Sequence, residues 1–274
     1  IKEYTEKGYL TTASTKSGSV STTQEYNTTD FAIAQLAKAL GKKKDEQFYR
    51  KRSISYRKLF DKDFNLLRPK NNDNSWVTPF NPETGANFQK NLGFIEGNSW
   101  QYTFMMAHDA KGLMRLMGGK QAYSKQLQKV FNIGQFDMAN EPDIGYPYLF
   151  NFVKGEEWRT QKKVTELISK YFKNTPDGLP GNDDTGTMSA WLIYSMMGIY
   201  PISPASPVYT VTTPVFDKVI IQLDNRYYKS KQLVIEKEGT GTIKQLKLNH
   251  KNHKGYFIYH NDLVKAGHLK FMLE

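Results

Sequence analysis

The sequence predicts a mainly α-helical chain that gives way, near residue 204, to a C-terminal antiparallel β region. Two observations carry this. Apolar residues recur at helical spacing through roughly the first 200 residues. After Pro204 the chain becomes a series of short runs rich in Val, Ile, Tyr and Thr, broken by turn residues. Irregular loops between the helical stretches are those of an α/α barrel or bundle. The division expected is residues 1–203 as the helical part and residues 204–274 as the strand part.

Taken in order, DFAIAQLAKALG (30–41) reads as a helix capped by Asp30 and closed by Gly41. A second helix is expected from Lys44 to Phe60. Residues 63–93 lack periodicity and are loaded with Asn, Pro and Gly. So long a connection is usually functional, and Trp76, Phe80 and Phe88 suggest an ordered loop over a pocket. Helices follow over 99–119, 122–134, 147–155 and 156–175, the last with Trp158, Val164, Leu167, Ile168, Tyr171 and Phe172 on one face. TMSAWLIYSMMGIYP (187–201) is apolar nearly all round and reads as a buried helix. The strand runs are PVYTVTTP, DKVIIQLD, KQLVIEKEG, TIKQLKLN, YFIYHNDL and HLKFMLE, few for a free-standing sandwich, so the sheet is expected to pack on something else.

Composition narrows the function. The 274 residues carry 38 Lys and Arg against 27 Asp and Glu, a net charge of +11. The basic residues are dispersed, and lysine outnumbers the arginine expected at bidentate phosphate sites. A solvated surface explains them, and no nucleic-acid partner is expected. With no cysteine, disulfide frameworks, thiolate metal sites and a Cys nucleophile are excluded. The histidines show no zinc spacing, and no run is long and apolar enough to span a bilayer. A chain beginning at Ile1 without a signal-like stretch reads as an internal or processed piece. Secreted, cell-surface and cytoplasmic locations in a bacterium are all compatible with it.

Three acid-bearing segments stand at helix mouths. In GFIEGNSWQYTF (93–104), Glu96 either complements the helix dipole or serves chemistry. In FDMANEPDIGYPYLFNF (136–152), Asp137, Asn140, Glu141 and Asp143 form a hard-oxygen cluster that either caps the next helix or suits Ca²⁺. In DGLPGNDDTGTMSAW (177–191), one of Asp183 and Asp184 can cap the following helix. Two adjacent acids beside Asn182 repel each other unless a cation, a donor or sugar hydroxyls share the site. Trp100, Trp158 and Trp191 lie near these segments, as sugar platforms or as core. Two carboxylates on opposite loops of a helical barrel fit inverting glycoside hydrolysis, which needs them about 6.5–9.5 Å apart.

At these segments the chain resembles glycoside hydrolase family 92, the Ca²⁺-dependent exo-acting α-mannosidases. The matching stretches are SVSTTQEYNTTDFAIAQLAKALG, IEGNSWQYTFMMAHDAKGLMRLMGG, NEPDIGYPYLFN, TPDGLPGNDDTGTMSAWLIYSMMGIYPISPAS and VFDKVII, in the family's order. The resemblance implies the later helices of an (α/α)₆ barrel plus strands that return to an N-terminal β-sandwich lying outside this chain. It implies Glu96 as general acid and Asp184 as general base. Asp183, Asn182, Trp100, Gln101 and Tyr146 are then implied in substrate binding, and Asn140 and Glu141 in holding Ca²⁺.

The function so implied is an exo-α-mannosidase, α-1,2 in preference, acting on mannose-containing glycans by inverting single displacement. The alternatives are a non-catalytic mannose-binding protein, or the same chemistry on α-1,3, α-1,6 or phosphate-linked mannose. The isolated chain is expected to be inactive if it holds only part of the barrel. Three departures from the family pattern stand out. Asn182 occupies a position where some members carry an acid, Gly145-Tyr146 replaces a His before the PYLF run, and Thr29 replaces an acid next to Asp30.

Overall fold

The computed structural model describes residues 1–15, 17–85 and 91–274. The chain forms two compact units, one of Ile1–Tyr146 with Ser203–Ser206 and one of Pro147–Ile202 with Pro207–Glu274. Phe88, expected over a pocket, lies outside the described residues.

The first unit is helical. α1 (Lys2–Lys7) ends on Gly8, whose N–H caps the Tyr4 carbonyl from a left-handed conformation. α2 spans Ser19–Ala39 and α3 spans Lys43–Arg52. The two pack against each other across a short turn. The expected Asp30 cap is a correction: the helix starts at Ser19, and Asp30 lies in its interior, 2% exposed. Its carboxylate accepts from Arg52 Nε and Nη2 at 2.6 Å each and from the Tyr4 hydroxyl at 2.5 Å. Sequence patterning missed the first turns of α2 because their buried residues are polar. Thr23, Gln24 and Asn27 are fully buried and recur at helical spacing with Asp30. Each is bonded: Thr23 to the Leu10 N–H, Gln24 to the Tyr102 carbonyl, Asn27 to Tyr4, Ser55 and the Tyr56 N–H. Buried amides and hydroxyls are tolerated when so bonded, though Gln24 Oε1 finds no partner among the described residues.

The second predicted helix stops at Arg52 and continues as a 3₁₀ turn, Ser55–Leu59. β1 (Phe60–Asp61) and β2 (Leu66–Leu67) make a small antiparallel hairpin. In the loop beyond, Trp76 lies against Lys70 Nζ at 4.4 Å, and Phe80 against the Arg68 guanidinium at 5.1 Å. These rings order the loop by covering cations, and they are not among the residues that line the cavity described below. The predicted helix over 99–119 is broken into α4 (Ser99–Thr103), a 3₁₀ turn and α5 (Ala110–Leu116). α6 covers Lys120–Asn132.

A 3₁₀ stretch, Tyr146–Phe152, enters the second unit at Pro147 and leads to α7 (Glu157–Tyr171) and α8 (Thr187–Met197). The buried side of α7 is Thr160, Gln161, Val164 and Leu167, which keeps Val164 and Leu167 of the predicted stripe and excludes Trp158, 48% exposed. Gln161 Oε1 accepts from the Ile243 N–H at 2.7 Å and the Thr213 hydroxyl at 3.0 Å, which fixes α7 to the strands. α8 is only half buried: Trp191 is 1% exposed, whereas Ile193 is 49% exposed.

The strands that follow are β3 (Ile199–Pro201), β4 (Val208–Val211), β5 (Lys218–Gln222), β6 (Gln232–Glu238), β7 (Ile243–Leu248), β8 (Lys251–His253), β9 (Phe257–Tyr259) and β10 (His268–Leu273). They form a three-stranded sheet, β3-β4-β9, and a five-stranded sheet, β5-β6-β10-β7-β8. The predicted run YFIYHNDL is strand only at its start, turning into helix α9 (His260–Ala266). The larger sheet is mixed, because β10 runs parallel to β6 and antiparallel to β7. Parallel neighbours need a long crossover, here the chain from β7 to α9. Leu233, Ile235, Leu246, Leu269 and Phe271 point from this sheet into one apolar core with Met197 and Ile199.

Candidate active site

In the first unit, one turn of α2 and two loops converge on a cavity of about 370 Å³. α2 contributes Ser21 and Glu25, an i,i+4 pair on one helix face. The loop before α4 contributes Ile95 and Glu96. The NEP turn contributes Asn140, Glu141 and Pro142, and Tyr102 adds its side chain. The volume is within the range of small-molecule sites.

The Glu96 backbone is left-handed, with φ 55°, a conformation unfavourable for a residue with a Cβ. Its peptide neighbourhood is held from three directions. Ser21 Oγ accepts the Ile95 N–H at 3.0 Å, the Tyr102 hydroxyl donates to the Ile95 carbonyl at 2.7 Å, and Asn140 Nδ2 donates to the Glu96 carbonyl at 2.7 Å. Gly18, itself at φ 69°, lets the chain pass beneath Ile95; a Cβ there would lie 2.2 Å from Ile95 Cγ1. Dipole complementation of α4 falls to Asn98, whose Oδ1 accepts from the Trp100 and Gln101 N–H groups. Glu96 is not needed for capping, and its side chain is exposed at the cavity.

The hard-oxygen cluster is pulled apart by the fold. Asp143 is fully buried; its Oδ2 accepts the Asp137 N–H at 2.9 Å, and its Oδ1 has no partner. Burial pushes the Asp143 carboxyl well above the ordinary carboxylate range. Asp137 Oδ1 turns back on the Ala139 N–H. Only Asn140 and Glu141 reach the cavity. There Glu25, missed by sequence reasoning, has its carboxyl raised by partial loss of water and then by the Glu141 charge. The only signal available was its helical spacing from Ser21.

In the second unit the adjacent acids divide their tasks. Asp183 Oδ1 accepts the Ser189 N–H at 2.9 Å and its Oδ2 accepts the Ser189 hydroxyl at 2.7 Å. Asp183 thereby caps the start of α8, and the Ser189 hydroxyl holds its carboxyl below the usual range. Asp184 opens the next turn, where Thr185 (φ 54°) and Gly186 (φ 79°) are both left-handed. Its carboxylate is exposed, and no described residue hydrogen-bonds it. Asn182 is exposed beside it.

Three residues implied in substrate binding are built into the interior of the first unit. Trp100 is 4% exposed, with Lys129 Nζ 5.0 Å from its ring centroid. Gln101 Oε1 accepts the Asn98 N–H, closing the capping box of α4. The Tyr146 hydroxyl is 1% exposed with its ring, donates to the Gln101 carbonyl at 2.6 Å and accepts the Phe104 N–H at 3.0 Å. Among the described residues, no group of three or more His, Cys, Asp or Glu side chains gathers as a metal cluster. Also among them, no helix is long and apolar enough to cross a membrane.

Free carboxylates presented on loops, one of them at a cavity of sugar size, are the equipment of a glycosidase-type catalytic domain. The model of the glycosyl hydrolase family 92 catalytic domain matches residues 1–274. A solved family 92 α-mannosidase from Bacteroides thetaiotaomicron, in complex with mannoimidazole, is 30% identical with a TM-score of 0.90; the match covers 100% of this chain and 38% of that one. A family 92 inverting mannosidase from Bacteroides thetaiotaomicron VPI-5482 is 25% identical with a TM-score of 0.88, covering 100% of this chain and 39% of that one. An uncharacterized secreted glycosidase from Arthroderma benhamiae is 27% identical over 226 residues, 74% of this chain and 28% of that protein. The chain belongs to glycosyl hydrolase family 92. It spans well under half the length of these relatives.

Proposed function

We propose that the full-length protein is an exo-acting α-mannosidase that releases terminal mannose from glycans with inversion. Glu96 is the general acid and Asp184 the general base. One observation carries the assignment of roles: among the described residues, no hydrogen bond engages the exposed Glu96 and Asp184 carboxylates, whereas Asp183 and Asp143 are held by structure. Asp183 is taken by Ser189, and Asp143 is buried. The relatives described as an inverting mannosidase and as an α-mannosidase in complex with mannoimidazole support the reaction and the sugar.

In this mechanism Glu96 gives its proton to the departing glycosidic oxygen, and Asp184 takes one from the attacking water. Asp183, pinned to α8, keeps the turn that presents Asp184. Calcium fits the donor set in kind: Glu141 and Asn140 offer oxygen at the cavity, and none of the cavity's lining residues is basic. Asn140 and Glu141 would hold the ion. When bound, it supplies charge for orienting sugar hydroxyls. Glu25 shares the same surface.

The preferred linkage is α-1,2, with α-1,3, α-1,6 and phosphate-linked mannose as alternative aglycones. Residues 1–203 would supply later helices of an (α/α)₆ barrel. Residues 204–274 would supply strands of a β-sandwich completed by the rest of the full-length chain. The test is turnover of an α-mannobioside, whose leaving group needs a proton, by full-length Glu96→Gln and Asp184→Asn. A loss of roughly 10²–10⁴-fold is expected for each, with β-mannose as the first anomer seen by NMR in the wild type. Wild-type rates for both variants would overturn the assignment.

A further inference from the structure

A strained acid must be held, and the holding groups are identifiable. Glu96 is the cavity's one residue with a left-handed backbone among those described. Such a conformation persists only where surroundings over-determine it. The two peptides flanking Glu96 are taken by Tyr102 on α4 and Asn140 on the NEP turn, and the peptide before them by Ser21 on α2. These partners lie 74, 7 and 44 residues away in sequence. Gly97 adds a fourth restraint, since a Cβ there would lie 3.0 Å from the Tyr102 ring and 3.4 Å from Asn140 Nδ2.

We infer that Ser21, Tyr102 and Asn140 form a clamp that positions the Glu96 carboxyl for proton donation, so that Asn140 serves the acid as well as any cation. The inference rests on Glu96 being the general acid. An extended or right-handed backbone at residue 96 would swing its Cβ to another side of the chain. The clamp fixes direction, and its three bonds act on backbone, leaving the carboxyl free to exchange its proton. Misplacing a reacting group by about 1 Å can cost about a hundredfold in rate. The clamp residues are therefore positioning residues, and their loss should resemble a weakened acid more than a weakened site.

Leaving-group dependence separates these. A dinitrophenyl α-mannoside departs without a proton, whereas a mannobioside requires one. In the full-length enzyme, Tyr102→Phe removes the donor to Ile95, Ser21→Ala removes the acceptor for its N–H, and Asn140→Asp removes the donor to Glu96 while keeping oxygen. For each, kcat on the mannobioside is expected to fall at least about tenfold further than kcat on the dinitrophenyl substrate. Glu96→Gln should show the same pattern more strongly, and the calcium affinity of Asn140→Asp, read by titration, should not fall. Equal losses on both substrates for all three clamp variants, or none, would sink the clamp alone if Glu96→Gln is leaving-group selective. If Glu96→Gln itself loses both substrates equally, the acid assignment falls and the clamp with it. Thermal melting identifies any variant that fails to fold, and the remaining two decide.

Discussion

Asp30→Asn offers the sharpest test of what the QEYNTTD segment is for. Asp30 is 2% exposed and accepts from Arg52 twice and from Tyr4 once. Removing one member of a buried pair costs about 3–5 kcal/mol, because the other charge is stranded. Here the lower end applies. The Arg52 side chain is 21% exposed, so it can partly rehydrate. Its guanidinium also stays over the Tyr4, Phe48 and Tyr49 rings at 5.0–5.2 Å. A loss of about 3 kcal/mol corresponds to about a hundredfold faster opening. Hydrogen exchange by mass spectrometry on the full-length protein should locate that acceleration in peptides of α2 and α3. Replacing both charges, Asp30→Leu with Arg52→Met, should recover most of the protection. Two results would refute the reasoning: unchanged exchange in Asp30→Asn, or a double variant as labile as the single one.

Other expectations follow from the same geometry. His108 is stacked on Phe31 at 4.5 Å, its Nε2 lies 3.0 Å from the Ser53 carbonyl, and burial holds its pKa below the usual 6.5. The unfolded chain therefore binds a proton that the folded one refuses, and stability falls as pH drops below about 6.5. His108→Gln should flatten that acid limb in urea midpoints measured from pH 7.5 to 5. Gly18→Ala would place a Cβ 2.2 Å from Ile95, at a backbone strained by about 1–2 kcal/mol for a non-glycine residue. It should lower both melting temperature and kcat, and an active, equally stable variant would contradict the described path of the Glu96 loop. Chelation should abolish mannosidase turnover in the full-length enzyme, with Ca²⁺ restoring it more fully than Mg²⁺. Full activity in excess chelator would remove calcium from the mechanism.

Much of the architecture was legible because amphipathic spacing and β-branched runs report burial directly. α7 and most strands fall within the predicted stretches, and α6 begins two residues before its own. Patterning failed where burial and polarity part company. The front of α2 buries Gln24 and Asn27 through hydrogen bonds, so no apolar period marks it. YFIYHNDL carries strand composition into a helix that serves as a crossover, a tertiary demand invisible to local propensity. For the site, family motifs led to Glu96, Asn140, Glu141 and Asp184, and chemistry alone had left Asp183 and Asp184 interchangeable. In the structure the Ser189 bonds distinguish them. Trp100 was singled out for aromatic character and Tyr146 by the family resemblance, but the burial of both rings depends on partners far along the chain.

β10, the last of its sheet's five strands in sequence, occupies the sheet's middle. β6 and β7 lack their shared inner neighbour until residues 268–273 have left the ribosome, and the β5-β6 and β7-β8 pairs on either side must wait with one edge bare. A nonsense codon or frameshift shortly before residue 268 would cut the sheet through its centre and leave two open borders ready for pairing with other chains.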